Sequence, residues 1–503
     1  MNVRVLSAIL FVMLSLGMLP ARADDVPDAA TLLDRVQKAE GVRPENVRSV
    51  IRSHGTDGDE IETTYRIGKN VRTIWSRGPI TTQEGTYDGD DWTRDENGLT
   101  VADEPDPDEA AEAAAFTTTV KRSTAPDAYV IEKLEKNGYG TRTFIDPTTY
   151  HELREDEIGA NGTVTTTYSD YRTFGTVTLA TKWTETNAAT SESTDYERTD
   201  YTIGAVEPLD VAVPNPRASV TFPDGISHAV LPTQFDGGKI EVHADIAGHR
   251  SEFYLDTGAA GITITEGKAK QLGLTTYNPH RNDLNAGAYV EREAIIPVIR
   301  IGQLELHDVV VSITPKVGDD DDEIGLLGFD FLAELGVRID YEQRKVTVVD
   351  AAHFVPPTDK NLIAIDVRLG TLQPMTSVVF EGVPANRMVV DTGAAGTFML
   401  QDHFARRHPE VLHTRASGEA NFVGVGGAFD TDSWHMKRIK WGPIEFKDFI
   451  GYRVISKKSY ANDEDGLIGY DLLRFFTVVL DYMDGRIYLT QNHGSAESDG
   501  ADY

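Results

Sequence analysis

Apolar and polar positions follow four successive patterns along this chain. Residues 5–20, VLSAILFVMLSLGMLP, are a nearly unbroken apolar run between Arg4 and Ala21-Arg22-Ala23. In PDAATLLDRVQKAEG the apolar residues Leu32, Leu33 and Val36 take helical spacing, with Pro27 and Asp28 placed to open a helix and Gly41 to stop it. From about Val47 short β-prone runs take over: IETTYRIG, VRTIW, GPITTQEGTYDGDDW, ENGLT, GTRTFID, NGTVTTTY and GTVTLATKW. Asp-Gly and Asn-Gly pairs and polar stretches such as NAATSE separate them, which predicts a twisted antiparallel sheet. One Ala-rich segment, PDEAAEAAAF (107–116), predicts a short helix within it. The passage VPNPRASVTFPDG, residues 213–225, ends this region.

Beyond that passage the strand pattern occurs twice. FYLDTGAAGITI (253–264) matches MVVDTGAAGTFM (388–399), and EIGLLGFDFLAELGVRIDYEQRKVTVV matches EDGLIGYDLLRFFTVVLDYMDGRIYLT. Asp256 and Asp391 lie 135 residues apart, and Gly328 and Gly469 lie 141 apart, a spacing expected of a duplicated unit with small insertions. In each half a strand delivers DTGAAG, alternating strands follow, and an apolar-Gly-aromatic-Asp motif leads into a short helix. A final strand pair closes the half. In the first half the strand enters Gly328 and the helical turn is expected through Phe331–Leu335; the switch recurs at Gly469. The expected fold is mainly β with short helices: an N-terminal antiparallel half-barrel sheet with helices, then a pair of β-barrel lobes.

Length divides this organisation further. A chain of 503 residues exceeds one hydrophobic core. The expected units are a signal peptide (1–23), a sheet domain (24–215), a first lobe (216–353), a second lobe (354–492) and a polar tail (493–503). The initial apolar run is short for a membrane span and ends in a small-x-small cleavage site, so removal after Ala23 is expected, with a membrane anchor as the other reading. A periplasmic or secreted location follows. The formal net charge of -32 repels phosphates and argues against nucleic acid or an anionic membrane as partner. With 0 cysteines there is no disulfide, thiolate metal site or cysteine nucleophile.

The chemistry centres on the repeat. Asp256 and Asp391 each end an apolar strand, where an ionised carboxylate is costly unless it is hydrogen-bonded or shares its charge. If two-fold pairing brings the tips together, the carboxyls share one proton and their pKa values split. One can then take a proton from water while the other protonates a carbonyl oxygen. Gly258 and Gly393 allow a close turn beneath the acids, and Thr257 and Thr392 can hydrogen-bond across the lobes.

DTGA at 256–259 and 391–394, combined with LLGFD and LIGYD, resembles aspartic proteases of the retropepsin-like group, duplicated in one chain as in pepsin-like enzymes, over about residues 225–492. The resemblance implies Asp256 and Asp391 as catalytic aspartates, Thr257 and Thr392 as their interlocking threonines, and Gly328 and Gly469 as the second-motif glycines. It also implies glycine-rich flaps. GVGGAF, with Gly424, Val425, Gly426 and Gly427, resembles a retropepsin flap tip, and the first half offers NAGAYV, with Ala288 and Tyr289.

Residues 24–215 resemble periplasmic lipoprotein-carrier and lipoprotein-sorting domains, on YDGDDWTRDENG (87–98) and FIDPTTYHELREDEIGANGTVTTTYSDYRTFG (144–175). That resemblance implies a lipoprotein or acyl ligand; a scaffold without lipid is the other reading, and Trp75, Trp92 and Trp183 fit core or ligand roles equally. No HExxH, G-x-S-x-G, phosphate loop or dinucleotide fingerprint is present, and GDDDDE (318–323) lacks the order of a calcium loop, so no metal or cofactor is expected. Two functions remain: an exported, monomeric aspartic endopeptidase acting on peptides or proteins, or a non-catalytic periplasmic carrier of lipoprotein or peptide.

Overall fold

The computed structural model describes residues 26–492 except 57, 104–115, 137, 160–161, 285–286, 316, 318–323, 425–426 and 456–463. The expected signal peptide, the Ala-rich helix up to residue 115, the acidic loop 318–323, the polar tail, and Val425 and Gly426 therefore lie outside the described residues. Among the described residues no helix is long and apolar enough to cross a membrane.

The first helix forms where the pattern places it, at Ala29–Glu40. The Thr31 N–H donates to Asp28 Oδ1 (2.8 Å), which satisfies one of the helix's open donors. Gly41 ends the helix at φ 83°, in the left-handed region that glycine tolerates. Its buried stripe is narrower than expected: Leu32 and Val36 pack with Ile145, whereas Leu33 is 38 % exposed. Leu33 is adjacent in sequence to Leu32 and so turns about 100° away from it on the helix.

Thirteen antiparallel strands between Asn46 and Ile203 form one sheet. Consecutive strands are neighbours on both sides of a central join, where Asn46–Gly55 pairs with Ser193–Ile203. Tight turns produce this order because each strand meets the next before a longer loop must close. The edges are Thr100–Ala102 and Thr117–Thr124. Trp92 is buried, and Trp183 stacks on Tyr196 with centroids 5.3 Å apart.

The repeated halves build two further sheets with one shared crossing. In the first, Phe253–Leu255 runs parallel to Gly325–Leu327, and Ile262–Thr263 pairs antiparallel to Leu326–Leu327. In the second, Met388–Val390 runs parallel to Gly466–Ile468, which Phe398–Leu400 joins antiparallel. Each DTGAAG loop thus bridges two strands that flank the strand entering the second-motif glycine. Strand Met375–Phe380 pairs with both Val383–Val390 and Gly427–Trp441, closing six strands of the second sheet into a barrel. In the first sheet Gly287–Ile301 pairs with both Leu304–Thr314 and Lys239–Ile246.

Two local expectations change. The helices are Phe329–Leu332 and Tyr470–Leu473, starting directly after Gly328 and Gly469. The Leu332 N–H already bonds to Gly328 O (3.2 Å), so the helical turn ends before Leu335, which opens a strand. The closing strand pairs also leave their own halves. Leu335–Asp340 and Phe476–Asp481 pair with each other, from Gly336 opposite Asp481 to Asp340 opposite Thr477, at the centre of a separate six-stranded sheet. Apolar faces of both halves and this shared sheet merge into one core containing Phe329, Phe331, Val337, Leu472 and Leu480, with Leu99 and Val101 of the N-terminal sheet packed against it.

The N-terminal sheet is fastened by its turn 95–98. Asn97 Nδ2 donates to Asp330 Oδ2 (2.6 Å) and Val310 O (3.0 Å), while Asn97 Oδ1 accepts from the Val310 N–H (2.8 Å). This contact gathers Asp95, Glu96 and Asp330; burial and then the Asp95 charge push Glu96 up to about 8. Glu84 and Glu152 are each pushed up to about 7, chiefly by burial. A carboxyl whose folded pKa is raised contributes stability fully below the unfolded value, and that contribution disappears as pH rises through the folded value. Thermal stability should therefore fall between about pH 4.5 and pH 8. Glu96→Gln should raise the melting midpoint at pH 8 while leaving it nearly unchanged at pH 4.5, as read by calorimetry; an equal effect at both would contradict this origin.

Candidate active site

Both aspartates are positioned by the strand beside them. The Asp256 N–H donates to Leu327 O (3.1 Å), and the Asp391 N–H to Ile468 O (2.9 Å). Each loop then folds over the following helix: Phe329 N–H bonds to Ala259 O (2.9 Å) and Tyr470 N–H to Ala394 O (2.8 Å). Gly328 is required by closeness, since a Cβ there would lie 2.4 Å from the carbonyl oxygens of Ala259 and Gly261. Gly469 faces Gly396 O at 2.7 Å in the same way.

Between the halves the loops interlock. Thr257 Oγ1 donates to Val390 O (2.6 Å) and accepts from the Thr392 N–H (2.9 Å). Reciprocally, Thr392 Oγ1 donates to Leu255 O (2.7 Å) and accepts from the Thr257 N–H (3.1 Å). Both threonines are fully buried. A Cβ on Gly258 would sit 2.5 Å from Asp391 Cγ, and one on Gly393 would sit 2.5 Å from Asp256 Cγ. Each carboxyl therefore rests on the opposite loop's glycine, and the residues Asp256, Thr257, Gly258, Asp391, Thr392, Gly393, Gly328 and Gly469 form one constellation.

The packing brings the two carboxyls close enough to influence each other's protonation. Burial, followed by the charge and hydrogen bond of Asp391, holds Asp256 well above the usual carboxylate range. Burial also raises Asp391, opposed by its hydrogen bond from Asp256 and by the N–H groups of Gly393 and Ala394. Both aspartates keep part of their surface open to solvent, so the site is accessible although protein surrounds it on most sides.

Two tyrosines not singled out in the sequence lie beneath the pair. Tyr482 stacks on Phe329 at 5.4 Å between centroids, and burial with the charges of Asp256 and Asp391 holds its phenol protonated far above the usual range. Tyr341 meets Tyr470 edge-on at 5.5 Å, and its phenol is likewise raised by burial, Tyr470 and Asp391. Neither hydroxyl has a hydrogen-bond partner among the described residues. A readable signal existed: Tyr341 and Tyr482 follow the 141-residue repeat of Gly328 and Gly469.

The glycine-rich segments are hairpins in both halves. Thr414–Gly424 pairs with Gly427–Trp441 up to Gly424 opposite Gly427, and Thr276–Leu284 pairs with Gly287–Ile301 up to Leu284 opposite Gly287. Ala288 stands opposite Asp283; Tyr289 stands opposite Asn282 and its hydroxyl donates to Glu291 Oε2 (3.1 Å). Neither aspartate lines the cavity of about 650 Å³ where Leu99 and Val101 meet Phe222, Phe329, Leu369 and Tyr482. Among the described residues no group of three or more His, Asp or Glu side chains is arranged to hold a metal ion.

A family model described as aspartyl protease matches residues 242–331, which contain the first DTGAAG and Gly328. No curated protein matches the chain. Among solved structures it is similar to a retropepsin-like aspartic protease from Rickettsia conorii, at 21% identity over 24% of this chain and 87% of that one, with a TM-score of 0.19. It is also similar to a putative outer membrane lipoprotein-sorting protein domain from Vibrio parahaemolyticus (13% identity, 36% of this chain, 94% of that one, TM-score 0.28). A LolA superfamily protein from Nitrosomonas europaea is similar at 10% identity, over 37% of this chain and 98% of that one, with a TM-score of 0.29.

The interlock makes a direct prediction. Thr392→Ala strands a buried carbonyl and a buried N–H, which should cost about 2–4 kcal/mol in urea unfolding. Thr392→Ser, which keeps the hydroxyl, should recover most of the loss. Equal stability of the alanine and serine forms would contradict the role of the hydroxyl.

Proposed function

We propose that this protein is an aspartic endopeptidase, acting on peptides or proteins, in which the two DTGAAG loops supply one catalytic pair. The observation that carries this reading is the mutual packing of Asp256 and Asp391: each carboxyl sits on the other loop's glycine. A single shared proton leaves one carboxylate to take a proton from water and one acid to protonate the scissile carbonyl oxygen. The proton taken from water then passes to the departing amine. Tyr482, stacked on Phe329, stays neutral beside the pair and adds no charge to it.

In this reading residues 216–353 and 354–492 are two equivalent barrel lobes, and the hairpins ending at Gly424–Gly427 and Leu284–Gly287 are flaps over the substrate. One chain then forms a complete, monomeric catalytic unit. Residues 24–215 form a separate sheet domain, and the chain is exported to the periplasm or beyond after loss of residues 1–23.

A second reading, a non-catalytic carrier of lipoprotein or peptide, is favoured by one feature of the N-terminal sheet. A pocket of about 300 Å³ is lined there by Glu40, Arg43, Glu152, Tyr168, Trp183 and Arg198. Its mixture of charges and aromatic rings suits a ligand with an apolar body and a polar end.

Hydrolysis of a peptide library separates the two. Asp256→Asn and Asp391→Asn should each lower kcat/KM by about 10³-fold or more. Wild-type protein that leaves every peptide intact, or asparagine forms as active as wild type, would remove the peptidase reading.

The pH dependence follows from the raised pair. Activity should fall on the acidic side as the ionised partner takes up a proton, and on the alkaline side as the acid loses one. Because both carboxyls lie above the usual range, the optimum is expected at mildly acidic pH. Alanine, not a hydroxyl residue, follows each DTG; Ala259→Ser with Ala394→Ser should add donors to the ionised form and move the acidic limb downward. An optimum near pH 2, or an unmoved limb, would refute this assignment.

A further inference from the structure

The two DTGAAG loops are identical in sequence but differ in hydrogen bonding. In the second half the N–H groups of Gly393 and Ala394 both donate to Asp391 Oδ1, at 2.8 and 3.0 Å. In the first half the Gly258 N–H donates to Asp256 Oδ1 at 2.9 Å, but the Ala259 N–H is directed at the Asp256 main-chain oxygen, 3.3 Å away. The Ala259 N–H still favours the Asp256 carboxylate, after the Gly258 N–H, so the difference between the halves lies in where this N–H is directed. A difference between identical hexapeptides must come from outside them.

One side chain meets the requirement. Gln373 Nε2 donates to Gly258 O at 2.5 Å. Carbonyl and N–H of a trans peptide point in opposite directions within one plane, so fixing Gly258 O also fixes the Ala259 N–H. The pairing register identifies the counterpart in the first half. Met375 opposes Val389 and Glu241 opposes Tyr254, each two residues before an aspartate, so Gln373 corresponds to Lys239. The Lys239 ammonium instead lies 4.3 Å from the centre of the Tyr254 ring.

We propose that Gln373 is a positioning residue that makes the pair asymmetric: by holding the Gly258–Ala259 peptide it denies Asp256 a second strong donor, so Asp256 keeps the shared proton and Asp391 carries the charge. This deepens the peptidase reading by assigning Asp256 as the acid and Asp391 as the acceptor of the water proton, but the asymmetry itself does not depend on hydrolysis. The ionisable groups facing the pair leave this order to the hydrogen bonds. Tyr482 faces both carboxyls and Tyr341 faces Asp391, and both phenols stay neutral.

The test is carbon NMR of the full chain labelled at aspartate Cγ, titrated from pH 3 to 9, with the two signals assigned by Asp256→Asn and Asp391→Asn. In wild type, Asp391 should ionise first and Asp256 should retain its proton to higher pH. Gln373→Met keeps the side-chain length without the donor and should narrow the separation by about one pH unit, roughly the preference one hydrogen bond confers. Gln373→Ala is the second variant should the methionine form fail to fold; Gln373 is partly buried and keeps some contact with solvent. An unchanged separation in a folded variant, or Asp256 ionising first in wild type, overturns the proposal. Peptidase assays of the same proteins keep the two readings distinct. A narrowed separation with no hydrolysis by wild type would support the positioning role and remove the peptidase reading.

Discussion

Four buried hydrogen bonds of Thr257 and Thr392 tie the two repeated loops to each other and to the ends of the opposite strands. Each hydroxyl both donates and accepts, so neither loop can satisfy its backbone without the other. This reciprocity sets the distance between the halves, and the remaining geometry follows from it. With the threonines crossed, only a residue without Cβ fits at 258 and 393, because the opposite carboxyl occupies that space. The shared six-stranded sheet extends the same union below, with the strands that follow Gly328 and Gly469 paired across the junction.

Buried carboxyls recur where parts of the chain meet. Asp256 and Asp391 join the halves, while Asp95, Glu96 and Asp330 join the N-terminal turn to the first half. In both places burial is the largest cause of the upward shift, and like charge adds to it for Asp256, Glu96 and Asp330. Protons therefore act as part of the packing in a chain of net charge -32. Ion pairs such as Lys38–Asp34 and Arg300–Glu305 are exposed and contribute little to these buried sites.

The N-terminal sheet is fastened close to this machinery. Asn97 reaches Asp330, one residue beyond Phe329, on which Tyr482 stacks. Leu99 and Val101 then line the same cavity as Phe329 and Tyr482. A short series of contacts thus links the turn 95–98, through Asp330 and its helix, to the tyrosine that interacts with both carboxyls.

Much was legible in the chain because it is local or repeated. Asp28 and Gly41 bound a helix through backbone requirements that act within one turn, and alternation with Asp-Gly turns defined the strands. The duplicated DTGAAG named both carboxyls, both threonines and both glycines, since a motif written twice marks positions under the same constraint. Partnership across the junction was beyond it. Alternation says which face of a strand is apolar but not which strand covers it, so the merging of the closing strands into a shared sheet was hidden. Leu33 turned outward because only the sheet decides how wide a helical stripe is covered. Gln373 lies in an unremarkable polar-Pro context, and identical hexapeptides carry no sign of asymmetry. That difference arises only when folding brings a side amide from the second half to one backbone carbonyl in the first.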